Sequence, residues 1–222
     1  MHAVKIDIVS DIACPWCAIG YARLEEAMQE LKEAMTFDVQ WHAFELNPDP
    51  NADGEPILQA LSRKYGRSVE EMEQIQGQMQ EIAEGLGLNF SALQHRHTRN
   101  TFDCHRLVKW AGEQGKQTAM KQTLFEAYFG EDADITNPDV LAARVEAIGL
   151  DGQKAKDLLA SDDYVQAVRD EEARWQQAGI SSVPAFVINE RYLISGAQES
   201  QALVKALQDI ANEGPERQQP KP

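Results

Sequence analysis

A Cys-x-x-Cys motif, Cys14-Pro15-Trp16-Cys17, falls where the alternating run Val4-Lys5-Ile6-Asp7-Ile8-Val9 gives way to a helical pattern from Ala18 to Met35. A closely spaced cysteine pair where a strand turns into a helix is a redox signature rather than a disulfide framework. Cys14 falls at or beside the helix N-cap, where free N–H groups and the positive end of the helix dipole favour a thiolate. Pro15 suits the first helical position, because its φ is already helical and its missing N–H is not needed there. Cys17 lies one turn further on, within reach of a sulfur bound to Cys14. A helix terminus contributes about 0.3–1 kcal/mol, up to about 2 when partly buried. It therefore lowers a thiol pKa by at most ~1.5 from a reference near ~8.5. Trp16 adds no charge, so a moderate oxidant or reductant is expected. The alternative for this tetrapeptide is half of a zinc site, which needs a second ligand pair. His95, His97, Cys104 and His105 are its candidates.

A chain of 222 residues is long enough to bury a substantial core, and three cysteines are too few to build a fold from disulfides. The first ten residues are interrupted by Lys5 and Asp7 and lack the apolar core of a signal peptide. No apolar stretch approaches membrane-spanning length. A cytoplasmic location is therefore expected, where such a pair is transient and catalytic rather than structural. The formal net charge of −15 argues against nucleic acid or an anionic membrane as partner, and reads as solubility.

Phe37 to Phe44 is rich in β-formers and predicts a second strand. Strand, helix and strand in this order form a right-handed crossover, with the cysteines at the carboxyl end of the first strand. From about Pro56 to Gly179 the pattern is helical almost throughout. Ser68-Val69-Glu70-Glu71 has capping-box form and opens a run to about Leu86. Thr101 to Gln114 and Ala119 to Phe129 follow, and Asn137-Pro138 starts a helix that stops at Gly149. Sheet character returns with Ala185 to Ile188, a turn at Asn189-Glu190 and Tyr192 to Ile194. Ala197 to Ala211 closes the fold as an amphipathic helix. The predicted architecture is α/β. Residues 1–47 and 180–213 make one domain, 48–179 a helical insertion, and 214–222 a disordered tail.

Val183-Pro184 precedes the returning strand. A trans bond is the common case; a cis bond would bring Val183 up beside Cys14 with its backbone groups free for an extended substrate. The combination of Cys14-Pro15-Trp16-Cys17, Phe44-Glu45-Leu46-Asn47-Pro48, a long helical insertion, Ser182-Val183-Pro184-Ala185-Phe186 and Ser195-Gly196-Ala197-Gln198 resembles the DsbA-like thioredoxin superfamily. More narrowly it is similar to the FrnE-like cytoplasmic dithiol-disulfide oxidoreductases. The resemblance implies a thioredoxin-like fold with an all-helical insertion domain and a cis Pro184 facing the cysteines. It also implies Cys14 as nucleophile and Cys17 as resolving thiol. Pro15, Trp16 and Val183, with Thr101 and His105 of Asn100-Thr101-Phe102-Asp103-Cys104-His105-Arg106-Leu107, are the implied substrate-binding residues. Cys104 stands where relatives are expected to carry a small apolar residue.

The activity expected is thiol–disulfide exchange on a disulfide- or thiol-bearing protein or small molecule, with no metal or resident cofactor and with glutathione as an eventual co-substrate. A glutathione-dependent isomerase or kappa-type transferase is the nearest rival, although such enzymes typically carry Ser where Cys14 stands. A redox- or zinc-responsive binding module is the rival from another class. Glu45 reads either as a partly buried acceptor for the Cys17 proton or as hydrogen-bonded structure. Asp11 reads as a turn residue whose charge would raise the thiol pKa. His95-Arg96-His97-Thr98-Arg99 with His105-Arg106 is the one basic island. It is either an electropositive rim over the cleft or a solvated helix start.

Overall fold

The computed structural model describes residues 2–49 and 54–213, so the predicted tail at 214–222 lies outside the described residues. β1 (His2–Ser10) leads through Cys14 into α1 (Pro15–Leu31) and returns as β2 (Met35–Ala43). Seven helices follow: α2 (Ile57–Tyr65), α3 (Val69–Gly85), α4 (Phe102–Glu113), α5 (Gln117–Phe125), α6 (Pro138–Ala147), α7 (Gly152–Leu159) and α8 (Val165–Gln177). β3 (Ala185–Ile188), β4 (Tyr192–Ser195) and α9 (Ser200–Glu213) complete the described chain. The fold is the α/β, thioredoxin-like one expected, with helices inserted between β2 and β3.

Among the described residues the strands form one mixed sheet in the order β2-β1-β3-β4. β1 runs parallel to β2 and antiparallel to β3, with Val9 opposite Ala185. Ile6, Ile8, Trp41 and Phe186 face the main core, which α1, α5 and α9 cover. Val9 and Ala185 face the other way, against Phe44, Trp175 and Ile180. Both faces of β1 are thus covered, so the alternation in its sequence does not mark a wet face. Asp7 is buried with the rest, 2.8 Å from His42 Nε2, whose Nδ1 lies 2.9 Å from Glu171.

β2 is an edge strand, and side chains of the inserted helices pair with the outer hydrogen-bonding groups of its C-terminal end. The Gln117 amide accepts from Trp41 N–H (2.9 Å) and donates to Trp41 O (3.0 Å), as a neighbouring strand would. Glu171 accepts from Ala43 N–H at 3.0 Å. That end of the edge is thereby closed to strand addition. Several boundaries differ from expectation for local reasons. α1 stops at Leu31, and Met35, read as its end, already starts β2. The helix predicted to Phe129 loosens after Phe125 into a π-helical turn, Glu126–Gly130, packed under Asn89.

Gly20 of α1 sets how closely that helix approaches the loop before β3. A Cβ there would lie 3.2 Å from both Phe186 Cζ and Pro184 Cγ and 3.3 Å from Ala197 Cβ. Gly20→Ala gains about 1 kcal/mol of helix propensity against contacts only slightly too tight. Gly20→Val adds two methyls that overpack this contact and is expected to lose about 1–3 kcal/mol in urea unfolding. A valine variant as stable as the parent would contradict this packing.

Candidate active site

Cys14 is the N-cap of α1, in extended backbone (φ −93°, ψ 108°), with Pro15 in the first turn. No acidic residue occupies that turn, although the Asp11 carboxylate lies just before it. Asp11 O accepts from Cys14 N–H (3.3 Å) and Cys14 O from Cys17 N–H (3.0 Å). Across the site, the Val183–Pro184 peptide is cis and Val183 O accepts from Cys14 Sγ at 3.6 Å. Cys14, Cys17 and Cys104 are all free and buried. Cys17 lies against Cys14, fully enclosed; burial and then Cys14 push its thiol well up, and the charge of Lys121 opposes them.

The carboxylate of Asp11 is buried, and it organises the backbone behind the cysteines. Its oxygens accept from Ala13 N–H (3.2 Å) and Leu46 N–H (2.7 Å). His105 Nε2 stands 3.4 Å from it and 3.1 Å from Phe44 O, and Thr101 bonds to it as well. Burial pushes Asp11 up, but His105, the Leu46 N–H and Thr101 outweigh it and hold the carboxyl below its usual range. Burial pushes His105 down despite Asp11. A ring nitrogen that faces two acceptors carries the proton, so neutral His105 is the Nε2–H tautomer.

Thr101 and His105 therefore stand behind the site. Both are buried, neither lines the cavity beside Cys14, and their polar atoms serve Asp11. This corrects the expectation that they contact substrate. Pro15, Trp16 and Val183 do line that cavity, with Trp16 at 38% exposure on its rim. Glu45 matches the second of its two readings, hydrogen-bonded structure: it is ion-paired to Arg169, which also bonds Glu172 (2.9 Å), and accepts from Asn100 at 3.4 Å. Burial and then Glu45 push Glu172 up to about 7. The neighbours that act most on Cys17 are Cys14, Lys121 and the backbone of Asp11.

Lys121 escaped the sequence analysis. It is 1% exposed, donates to Ser10 O at 3.4 Å, and lies 5.4 Å from the ring centroids of Trp41 and Phe125. An ammonium has three protons to place, and one long bond leaves it poorly solvated. Burial pushes its pKa down to about 8, although the charges of Cys17 and Asp11 pull the other way. The signal was present: Lys121 sits between Met120 and the pair Leu124 and Phe125, on the apolar stripe of α5.

The cavity beside Cys14 has a volume of about 640 Å³. Ile57 and Leu61 of α2 and Met72 and Met79 of α3 wall its far side. The basic island is split: His95 to Arg99 form an irregular segment before α4, with Arg96 buried in the cavity wall, while His105 and Arg106 are buried in the first turns of α4. His97 is held by Asp132, at 2.9 Å through N–H and 3.0 Å through Nδ1. Among the described residues no group of three or more His, Cys, Asp or Glu side chains is placed to hold a metal ion. No described helix is long and apolar enough to cross a membrane.

Comparison with known proteins places this geometry. The model of the DSBA-like thioredoxin domain matches residues 5–208. The uncharacterized protein YwbO of Bacillus subtilis is 31% identical over 210 residues, covering 93% of this chain and 96% of that protein. The crystal structure of a probable DsbA oxidoreductase from Streptomyces coelicolor superposes with a TM-score of 0.90 at 30% identity, covering 97% of this chain and 93% of that one. The cytosolic disulfide reductase DsbM of Pseudomonas aeruginosa, solved with GSH, shares the fold at a TM-score of 0.66 and 16% identity, over 94% and 99% of the two chains.

A stability measurement tests the state of Lys121. The unfolded chain holds this proton up to about 10.5 and the folded chain only to about 8. Between these values the unfolded state binds more protons, so this group makes stability rise with pH. Lys121→Met removes the contribution. The stability of the variant minus that of the parent is expected to be constant below about pH 8 and to shrink by up to about 3 kcal/mol toward pH 10.5. A difference independent of pH would contradict a depressed amine.

Proposed function

The chain belongs to the DSBA-like thioredoxin domain family, and from that premise we propose that it is a cytoplasmic dithiol–disulfide oxidoreductase or isomerase working through Cys14 and Cys17. The single observation that carries this is Cys14 at the N-terminus of α1, 3.6 Å from Val183 O, with Cys17 enclosed behind it. The cytosolic neighbour is compatible with the compartment.

The Cys14 thiolate attacks one sulfur of a substrate disulfide and expels the other as a thiolate. Trp16 and Val183 flank the mixed disulfide that results. Cys17 then loses its proton to solvent or to the departing substrate thiolate, its own thiolate favoured by the nearby Lys121 charge, and attacks Cys14 Sγ, which releases the second substrate thiolate. The protein dithiol has lost two electrons and the substrate disulfide has become two thiols. Burial and Cys14 push the Cys17 thiol up, and the charge of the buried Lys121 ammonium works against that rise, so Lys121 favours the Cys17 thiolate as an electrostatic partner. Glu45 is ion-paired to Arg169, in keeping with its reading as hydrogen-bonded structure rather than as the acceptor of the Cys17 proton. An external thiol, glutathione among the candidates, returns the pair to the reduced state, and no resident cofactor is needed. Oxidation and isomerisation use the same sulfurs in other orders.

Cys17→Ala removes the second step alone. It is expected to accumulate a Cys14-linked mixed disulfide with substrate, visible by mass spectrometry and absent from Cys14→Ser. Undiminished turnover by Cys17→Ala in a glutathione conjugation assay would instead point to transferase or isomerase chemistry.

A further inference from the structure

In a chain with 36 acidic and 21 basic side chains, the cavity beside Cys14 is lined by five cations and one acid. The acid, Glu55, is bound by Arg63 at 2.6 Å. Arg96 is the deepest of the cations, at 2% exposure. Its guanidinium donates to Gln76 Oε1 at 3.3 Å and to Leu93 O, and lies 5.4 and 5.2 Å from the ring centroids of Tyr128 and Phe129. Its Nε has no partner, and no carboxylate lies within ion-pair distance among the described residues.

Other buried arginines differ sharply. Arg106 has Asp103 at 2.8 Å and the carbonyls of Leu158, Ser161 and Asp163. Arg23 has Glu199 at 2.6 Å and the carbonyl of Ala197. A buried guanidinium without a counter-ion is strongly unfavourable, and a ligand anion relieves that imbalance where a cavity admits one. Met72, Ile75 and Met79 supply apolar lining to the same cavity, which Cys14 also lines.

Resting on the exchange chemistry proposed above, we infer that this cavity seats a low-molecular-weight disulfide or thiol bearing a carboxylate. Arg96 serves as its counter-ion, the methionine-lined wall takes its apolar body, and its sulfur meets Cys14. A carboxylate suits Arg96 itself, since one guanidinium matches its two oxygens. A protein substrate would meet the rim at Trp16 and leave Arg96 unused.

The test follows the reduced protein, Arg96→Met and Arg96→Lys as they react with two chromogenic disulfides, anionic dithiobis(nitrobenzoate) and neutral dithiodipyridine. Arg96→Met is expected to slow the anionic reagent by about tenfold or more while changing the neutral one by less than about threefold. Arg96→Lys keeps most of the preference, and reduction of insulin with dithiothreitol is unaffected by either change. Equal slowing of both reagents, or of insulin with them, would overturn the assignment and make Arg96 a group that acts on Cys14 alone. If the parent reacts no faster than Cys14→Ser with either reagent, it is the exchange chemistry that fails. Should Arg96→Met not fold, the parent alone decides. Methylthio-nitrobenzoate should protect Cys14 from iodoacetamide where its carboxamide does not, and equal protection by the two refutes the seat.

Discussion

The pairing of Val9 with Ala185 ties the two ends of the site together. Five residues beyond Val9 the chain reaches Cys14, and two residues before Ala185 it passes Val183. Because β1 and β3 are antiparallel, these two exits lie at the same end of the sheet. The 3.6 Å approach of Cys14 Sγ to Val183 O is then a consequence of register, made across 169 residues of sequence. A one-residue slip would turn every side chain of β3 to the opposite face and remove Phe186 from the core against α1. Gly20 contributes the remaining freedom, since a larger residue there would hold α1 away from Pro184.

Charge around that junction is arranged by burial. Asp11 is satisfied by backbone N–H groups and by His105, which fixes the loop before α1 to the segment after β2. Lys121 is enclosed by Trp41 and Phe125 and has one long hydrogen bond. A fully partnered ammonium would keep its proton, whereas a poorly solvated one accepts and releases it near neutral pH. Arg106 is the opposite case, a guanidinium fully engaged by carbonyls and Asp103, and it fastens α4 to the segment after α7. Reactive and structural cations are thus told apart by how many acceptors each one has.

Much of this was legible in the sequence. The strand–Cys-x-x-Cys–helix junction, the crossover to β2, the late hairpin and the helical stretch between them each rest on local periodicity and capping, and the model has them in that order. Periodicity failed where a residue's environment is set by distant chain. Asp7 looks like a solvent-facing strand residue until His42 and α8 cover it. Thr101 and His105 carry chemistry-bearing side chains, but only the fold reveals that both turn to Asp11. Glu45 is legible in the sequence as a carboxylate after a strand, but its partner, Arg169, lies 124 residues away. Lys121 was hidden by the habit of reading lysine as surface, although its place on the stripe of α5 marked it as buried.

The central claim is that Cys14 and Cys17 form one reversible two-electron couple, and equilibration in dithiothreitol redox buffers tests it most directly. The fraction of each cysteine open to alkylation, read peptide by peptide, should fall for Cys14 and Cys17 together, with a slope of about 30 mV per tenfold change. Cys104, enclosed and pushed far up by burial, should remain a thiol throughout. Oxidation of Cys14 without Cys17, or two thiols that persist across the whole range, would contradict the account.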